Sequence, residues 1–444
     1  MLLLSVILSG MMVWAQDLPS KDPDFSCTNQ ATAQQYVRDF NIDTSSFGGM
    51  ELCNSKVDTK KLFNDLEVIQ KGHFNSFGNN VFIRGFIPAN NYYSWMKDQT
   101  RGIERGQDVP YATAYNRGGY FTMQDGWTQL STLGRVGTVV HEARHTDGYR
   151  HVPCSYGPYQ GAYLDGCDTD YDYAGSHAIE MEYYARVSVL GSNFHPVYKT
   201  MARLMGIARG NFVFNKPVIS EKEGILALNQ NGTQADLIVD DQVVQRDVPQ
   251  VQSAILKRTS FGGAMFDGQK AYAIELYGQH MQENIDDSYS YYKLLTRDKA
   301  PIFDFEEFDV APKRFVLQMT DNQHLQFFNF PEGDWDSPTT LPIQAQRSAT
   351  RLENGQAGYF LIDNQGLIYP VNTRTHALDQ ALSLKWDPSL VDVASYNGKT
   401  LLLKKDGLIY EKGSNGSESL WSFGKNHYSS MINTPVYNGF TVEK

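Results

Sequence analysis

A short segment in the first half of the chain carries residues that could bind a metal ion and move a proton. His141 and His145 are four positions apart, Glu142 follows the first of them, and His151 comes six positions after the second. In an α-helix, residues four apart share a face, so the first two imidazoles can reach one ion. Glu142 lies beside that face, where its carboxylate can reach a metal-bound water. The spacing predicts a metal centre with an adjacent general base.

The residues after this pair predict where a third ligand comes from. Gly148 is suited to ending a helix in the left-handed conformation. The chain can then turn so that His151 approaches the ion from outside the helix. Three neutral imidazoles and a water form the open tetrahedral arrangement of catalytic zinc. The plain alternative is a surface helix that happens to carry two histidines.

The fixed positions of this segment, H-E-x-x-H-x-x-G-x-x-H, resemble the signature of the metzincins, a branch of the zincin metallopeptidases. The match covers eleven residues. The resemblance implies one catalytic Zn²⁺ bound by His141, His145 and His151, with Glu142 as the catalytic base. It also implies an α+β zincin-like domain in the first half of the chain.

A second possibility for the third ligand lies further along the chain. In gluzincins, another zincin branch, a glutamate from a later helix completes the metal site, and Glu180 would be that residue here. His177, Glu180 and Tyr184 fall on one face of a predicted helix. The alternative is that His177 and Glu180 support the ligands or cap a helix. Glu182 is expected to form a surface ion pair with Arg186, four positions later.

The N-terminus and the cysteines indicate an exported protein. Residues 1–15 contain an apolar run and end in a small residue, as a signal peptide does, although no Lys or Arg precedes the run; a buried N-terminal element is the alternative. Four cysteines favour two disulfides by proximity, Cys27–Cys53 and Cys154–Cys167. Beyond residue 15 no apolar stretch approaches the ~20 residues of a membrane span.

The net charge of the chain restricts its partners, and the pattern of apolar residues divides the chain into two halves. The net charge of −11 argues against a nucleic-acid partner. Residues 16–215 mix strand-like runs with helical stripes. The first stripe, Leu133, Val136, Val140 and Ala143, is on the helix that carries the histidine pair and lies well round the helix from both histidines. Residues 216–444 consist of short β-like runs broken by polar turns. We therefore expect a zincin-like domain followed by an all-β domain.

The second half shows a weak repeat. An apolar run followed by a turn recurs roughly every 40 residues, about the length of one propeller blade. The five turns are Asn231-Gly232, Asp267-Gly268, Asp321-Asn322, Asp363–Gly366 and Asp406-Gly407. This pattern predicts a small, five-bladed β-propeller, and a pair of β-sandwiches is the alternative.

These features predict a secreted zinc metallopeptidase that acts on a peptide or protein. The strand at 119–124 is expected to be the edge strand to which an extended substrate adds. Tyr149 or Tyr184 is expected to stabilise the oxyanion. One alternative is a non-catalytic scaffold that binds a protein partner through the β domain and keeps a structural or vestigial metal site. Another is an amidase acting on non-protein amides.

A run of acidic residues offers one further metal hypothesis. Asp165, Asp168, Asp170 and Asp172 could bind calcium through oxygen ligands. The run lacks the full spacing of a calcium loop. A solvated loop held by the Cys154–Cys167 disulfide is therefore the favoured interpretation.

Overall fold

The structure is a computed structural model of the 444-residue chain. It describes residues 18–19, 22–75, 80–88, 90–107, 109, 112–157, 159–161, 166–248, 255–259, 262–266, 271–274, 304–310, 313–329, 334–335, 337–373, 375–424 and 426–437. The predicted signal segment at 1–15 lies outside these residues, as does Asp165. The described residues form a mixed α+β structure, with helices in the first half and small antiparallel sheets in the second.

The first half contains seven α-helices, three strands and a 3-10 turn in its described part. The helices are α1 (Gln30–Phe40), α2 (Asp58–Lys71), α3 (Tyr92–Gln99), α4 (Asp125–Thr128), α5 (Thr132–Thr146), α6 (Ser176–Leu190) and α7 (Pro196–Phe212). The strands are β1 (Gly102–Arg105), β2 (Ala114–Arg117) and β3 (Tyr120–Met123), and the 3-10 turn is Asp22–Asp24. None of the described helices is long and apolar enough to cross a membrane.

Helix α5 forms where its sequence offers both a cap and an apolar stripe. The Ser131 side chain accepts a hydrogen bond from the Gly134 N–H, which satisfies one of the free donors at the helix start. The predicted stripe, which includes Leu133, Val136 and Val140, is fully buried. The opposite flank is therefore free to present polar residues to a cleft.

Helix α6 lies beside α5 and is buried on nearly every side. Of its fifteen residues, all but Val189 are buried. A helix that is buried all round has no outer face for solvated charges. Its charged residues must therefore find partners inside the protein.

The sheet beside α5 corrects the expectation for the substrate strand. Its order is β1-β3-β2, with β3 parallel to β1 and antiparallel to β2. Strand β3, which matches the predicted strand at 119–124, is therefore the central strand, and both of its edges are paired. The expectation that it is an edge strand is wrong. Strand β2 is the edge next to α5, and the Asn116 side chain donates to the Glu142 carbonyl and to the Thr146 hydroxyl.

The second half contains twenty strands in five antiparallel sheets within the described residues. One sheet has the order β23-β4-β5-β6, with β4 (Glu221–Asn229), β5 (Gln234–Val239), β6 (Gln242–Asp247) and β23 (Tyr428–Tyr437). The next contains β7 (Ile255–Thr259), β8 (Gly262–Phe266) and β9 (Ala271–Ala273).

The other three sheets follow in chain order. One contains β10 (Asp304–Val310), β11 (Lys313–Asp321), β12 (His324–Asn329), β13 (Asp334–Trp335) and β14 (Thr339–Thr340). Another contains β15 (Ala345–Arg351), β16 (Ala357–Asp363), β17 (Ile368–Asn372) and β18 (Ala377–Leu378). The last contains β19 (Leu390–Tyr396), β20 (Lys399–Lys404), β21 (Ile409–Lys412) and β22 (Glu418–Leu420).

The first strands of the five sheets contact one another in sequence. Strand β7 contacts β10, β10 contacts β15, β15 contacts β19, β19 contacts β23, and β23 contacts β7. Strand β23 also pairs along its length with β4, so the end of the chain completes the first sheet of this half. A cavity of about 270 Å³ lies among β7, β15, β19 and β23, and Lys257, Arg347 and Asp392 line it.

An apolar cluster joins the two halves. It contains Met181 of α6 and Ile207 of α7 together with Phe266 of β8 and Tyr437 of β23. Burial of large apolar side chains in one shared cluster favours a fixed arrangement of the elements that contribute them. Helix α6 is therefore held between α5 and the β-sheets.

Both predicted disulfides are confirmed. Cys27 bonds to Cys53, and Cys154 bonds to Cys167. The first ties the segment before α1 to the segment before α2. The second links two positions in the segment between α5 and α6.

Candidate metal centre

The three histidines of the motif converge at the end of α5. The helix ends at Thr146, and Gly148 has a φ of 90°, which confirms its predicted role as a left-handed stop. His151 then returns towards the helix, and its Nε2 lies 3.0 Å from Nε2 of His141. One ligand atom from each of His141, His145 and His151 lies within 4.8 Å of the other two.

Each of these imidazoles has an oxygen close to its Nδ1 atom. Nδ1 of His145 lies 2.6 Å from the Tyr149 carbonyl oxygen. Nδ1 of His151 lies 3.2 Å from Oδ1 of Asp168, and Nδ1 of His141 lies 3.4 Å from Oε2 of Glu180. An Nδ1–H group facing an oxygen fixes the tautomer and leaves the Nε2 lone pair for an ion.

Burial keeps the three imidazoles neutral. It lowers the pKa of His141 well below its usual value, and the neighbouring imidazole of His177 adds to this shift. It also lowers the pKa of His145, and it lowers the pKa of His151 to about 4. Metal ligation requires the neutral imidazole, so the donor set fits a transition-metal ion such as zinc.

Glu142 has the environment of a proton acceptor tuned to neutral pH. Its side chain is only 4% exposed, and its Oε2 atom has no hydrogen-bond partner among the described residues. Burial, together with the negative charge of Glu180, raises the pKa of Glu142 to about 8. A buried carboxylate oxygen without a partner is uncommon in the interior of a protein and is typical of a functional site.

Glu180 lies behind His141 in a network of buried polar groups. Its Oε1 atom accepts hydrogen bonds from the Tyr184 hydroxyl and from Arg209, each at 2.9 Å. Burial alone would raise the pKa of Glu180, but the charge of Arg209 and the imidazoles of His141 and His177, at 3.4 and 3.5 Å, hold it well below its usual value. Tyr184, one of the two oxyanion candidates, therefore has its hydroxyl directed at Glu180.

Glu180 also belongs to a second group of possible ligands. Its carboxylate and ligand atoms of His141 and His177 lie within 4.8 Å of one another. Glu180 faces the Nδ1 edge of His141, whereas His151 faces the Nε2 edge. The two candidates for the third ligand thus lie on different edges of the same ring.

Gly137 of α5 makes room for this network of buried groups. It precedes His141 by one helical turn, and a Cβ atom there would overlap the Tyr184 hydroxyl and lie 3.0 Å from Oε1 of Glu180. A side chain at this position would push α6 away from α5. The sequence carries no signal for this contact, because it joins two helices.

The prediction that the ion pair on α6 lies at the protein surface is wrong. Glu182 and Arg186 do pair, at 2.7 Å, but both side chains are completely buried. Oε2 of Glu182 accepts backbone hydrogen bonds from residues 84–86. The pair therefore ties a loop to α6, and its burial follows from the burial of the whole helix.

The aspartates of the acidic run have separate partners. Asp168 contacts His151, Asp170 pairs with Lys216 at 2.8 Å, and Asp172 lies 3.6 Å from Arg84. The calcium hypothesis gains no support from these three, and Asp165 lies outside the described residues. Arg144 and Asp147, three positions apart at the end of α5, form a local ion pair at 2.8 Å.

Comparisons with known proteins give no family. No protein-family model and no curated protein matches the sequence. Among solved structures, BBS1N in complex with ARL6DN is 13% identical and has a TM-score of 0.25; the match covers 46% of this chain and 65% of that one. AztD from Citrobacter koseri is 8% identical with a TM-score of 0.23, covering 49% of this chain and 61% of that one.

A third solved structure is a protein of unknown function from Bacteroides caccae. It is 10% identical with a TM-score of 0.28, and the match covers 48% of this chain and 98% of that one. The chain spans less than two thirds of the length of the BBS1N and AztD chains. Structural similarity at these TM-scores supports no conclusion about the family or function of this protein.

Proposed function

We propose that the chain is a secreted zinc-dependent hydrolase that cleaves amide bonds in a peptide or protein. One observation carries the proposal: three imidazoles converge, each with an oxygen near its Nδ1 atom, beside a buried carboxylate oxygen that has no hydrogen-bond partner among the described residues. This combination of open metal ligands and a proton acceptor is what metal-assisted hydrolysis needs. The two disulfides support an oxidising compartment outside the cytoplasm.

His141, His145 and His151 would hold the ion. When bound, zinc supplies a water of lowered pKa and polarises the scissile carbonyl. We favour His151 over Glu180 as the third ligand because Glu180 faces the Nδ1 edge of His141, away from the edge that faces His151. Glu180 instead faces that edge, with its Oε2 atom 3.4 Å from Nδ1 of His141, where it can orient the ring.

Glu142 would carry the proton during hydrolysis. Its carboxylate takes a proton from the attacking water and delivers it to the leaving nitrogen. A carboxylate whose pKa is raised to about 8 can both accept and release a proton near neutral pH. Its backbone is fixed at the same time, since the Glu142 carbonyl accepts a hydrogen bond from Asn116 of β2.

Strand β2 is the proposed docking strand for an extended substrate. It forms the edge of its sheet and lies against α5. An extended peptide can add to such an edge through main-chain hydrogen bonds. A substrate docked there would pass next to Glu142, because Asn116 of this strand contacts it.

We propose further that residues 216–444 form a five-bladed β-propeller. Five antiparallel sheets, the succession of contacts among their first strands, and the pairing of β23 with β4 support this. Such a domain often serves as a platform for a protein partner. On the competing hypothesis, the whole chain is a scaffold and its metal site is structural.

The test combines metal analysis with one substitution. The purified chain is expected to hold about one equivalent of zinc and to cleave members of a quenched fluorescent peptide library. Glu142→Ala should retain that zinc and lose at least about 100-fold in rate, because it removes the general base. Glu67→Ala is the control, since the ion pair that Glu67 forms within the described residues is a local one, with Lys71 on α2.

Two outcomes would contradict the proposal. Less than half an equivalent of tightly held zinc in the wild-type protein would favour the scaffold. Undiminished cleavage by Glu142→Ala would remove Glu142 from the mechanism. Cleavage of amides other than peptides, with none of the peptide library, would favour the amidase.

A further inference from the structure

The chain on the C-terminal side of His151 is linked to Cys167 by two kinds of bond. Val152 and Cys167 exchange a pair of backbone hydrogen bonds, of 2.8 and 3.1 Å. The Cys154–Cys167 disulfide lies next to this bridge. His151 immediately precedes the bridged Val152, and Asp168 immediately follows Cys167. The bridge therefore brings the histidine and the aspartate side by side, with Nδ1 and Oδ1 at 3.2 Å.

Asp168 is fixed by the core of the helical half. Its Oδ2 atom accepts hydrogen bonds from the N–H groups of His177 and Ala178, at 2.9 and 3.2 Å, in the first turn of α6. A carboxylate is favoured at that end of a helix. Gly175 has no Cβ, and a Cβ there would collide with the same carboxylate. The side chain of Asp168 is 1% exposed.

The backbone of Asp168 is fixed as well. Its N–H donates to the Val213 carbonyl at 2.9 Å, and its own carbonyl accepts from the Asn215 N–H at 3.0 Å. Asp168 is thus anchored to α6 and to the segment after α7. A fixed Asp168 can in turn hold the side chain that it contacts, His151, in one position.

His151 has no such anchor of its own. It lies in irregular backbone outside any helix or strand, unlike His141 and His145, which are on α5. Its position depends on its contact with Asp168 and on the bridge that begins at the next residue. If this segment opened, zinc binding would be weaker, because part of its free energy would be used to order the segment again.

We propose that the Cys154–Cys167 disulfide and Asp168 together position His151 and so determine how tightly the centre holds zinc. Both are positioning groups, since Asp168 acts through His151 and the disulfide acts through the Val152–Cys167 bridge. The inference rests on the proposed zinc site. It assigns to one disulfide a role in metal affinity that the other does not have.

The second disulfide provides a matched control. Cys27–Cys53 also lies in the helical half and closes a longer stretch of chain, with a separation of 26 residues against 13. It flanks neither a histidine of the cluster nor Asp168. Removing it should therefore lower the stability of the fold without changing the geometry around His151.

The experiment compares zinc affinity in the full-length protein. The double variants Cys154→Ser/Cys167→Ser and Cys27→Ser/Cys53→Ser are titrated with zinc against a chromogenic chelator, and thermal melting in EDTA reports the fold of each. The first variant should bind zinc about 10 to 100 times more weakly than wild type, the range seen when a group that orients a ligand is lost. The second should stay within about twofold of wild type.

A single substitution keeps the inference testable if the first double variant does not fold. Asp168→Asn preserves the shape of the side chain but removes the charge that faces Nδ1 of His151. It should weaken zinc binding by about 10-fold or more. Cobalt substituted for zinc should show a visible absorption spectrum altered from that of wild type, because the coordination at His151 has changed.

The outcomes separate the two proposals. If the wild-type protein binds no zinc, the proposed function fails and this inference fails with it. If wild type binds zinc and the Cys154/Cys167 and Asp168 variants bind it equally well, only the inference is overturned. Equal weakening by both double cysteine variants would also overturn it, since the effect would then belong to general stability.

Discussion

The helical half of the molecule contains buried ion pairs, whereas the ion pairs in the described part of the β half are all at least partly exposed. In the helical half, Arg135 is 1% exposed and lies between Asp65 and Asp22, at 2.9 and 2.7 Å. In the β half, typical ion pairs such as Lys222–Asp240 and Lys399–Glu411 lie at the surface. Arg347 and Asp392, which line the cavity among the first strands, pair at 3.1 Å and are partly exposed as well.

This difference follows from what each half must hold in place. A buried ion pair costs desolvation energy and is favourable only with complete geometry, so it fixes the groups that contribute to it. Arg135 is on α5, and the Glu182–Arg186 pair is on α6, the two helices that flank the candidate metal centre. The β half repeats one hairpin pattern over apolar clusters, which need no such fixed charges.

The largest expected effect comes from breaking the buried network. Arg135→Met removes the partner of two carboxylates, one of them fully buried, and should lower the free energy of unfolding by about 3–5 kcal/mol. Lys222→Met, which breaks a surface pair of the β half, should lower it by less than about 1 kcal/mol. Urea unfolding followed by circular dichroism measures both. Similar losses in the two variants would remove the contrast between the halves.

A smaller effect is expected where the two helices approach most closely. Gly137→Ala places a Cβ against the Tyr184 hydroxyl and should cost about 1–3 kcal/mol through overpacking. It should also weaken zinc binding, because Glu180, which orients His141, moves with Tyr184. The measurements are chemical unfolding and a zinc titration against a chelator.

Gly134→Ala on the same helix is its control. The added Cβ would lie 3.2 Å from Cβ of Leu130 and 3.3 Å from the end of the Met205 side chain, which can yield. Replacing glycine by alanine within a helix is favourable by about 1 kcal/mol, which offsets this contact. The variant should therefore be close to wild type in stability and in zinc affinity. If both glycine variants bound zinc equally weakly, the proposal that Gly137 has a special role in this contact would be wrong.

The parts of the fold that the sequence predicts are those with local signals. The apolar stripe and Gly148 predict where α5 runs and ends. The turns at 231–232, 321–322, 363–366 and 406–407 each fall between the second and third strands of a sheet. The fifth turn, at 267–268, lies outside the described residues but separates β8 from β9. Because one hairpin pattern repeats, the all-β character of the second half can be predicted from the sequence.

The parts that the sequence does not predict depend on contacts between distant segments. The i,i+4 spacing of Glu182 and Arg186 predicts a pair but says nothing about its burial, which arises from packing against α5 and the β half. The strand at 119–124 is correctly expected to be a strand, yet its place at the centre of the sheet depends on β1 and β2. Asp168 appears in the sequence only as a member of an acidic run.

The smallest effect is a dependence of stability on acid that originates in the helical half. Burial alone would raise the pKa of Asp22, but Arg135 holds it below its ordinary value of 3.8. A carboxylate with a lowered pKa stabilises the fold above its unfolded pKa, and this stability is lost as the pH falls through the folded pKa. Wild type should therefore lose stability below about pH 4, and Asp22→Asn should lose less over the same interval. Urea unfolding at pH 5, 4 and 3 measures this, with Asp24→Asn as a control that removes an exposed carboxylate from the same 3-10 turn. If Asp24→Asn reduced the acid dependence as much as Asp22→Asn, the effect could not be assigned to the buried network.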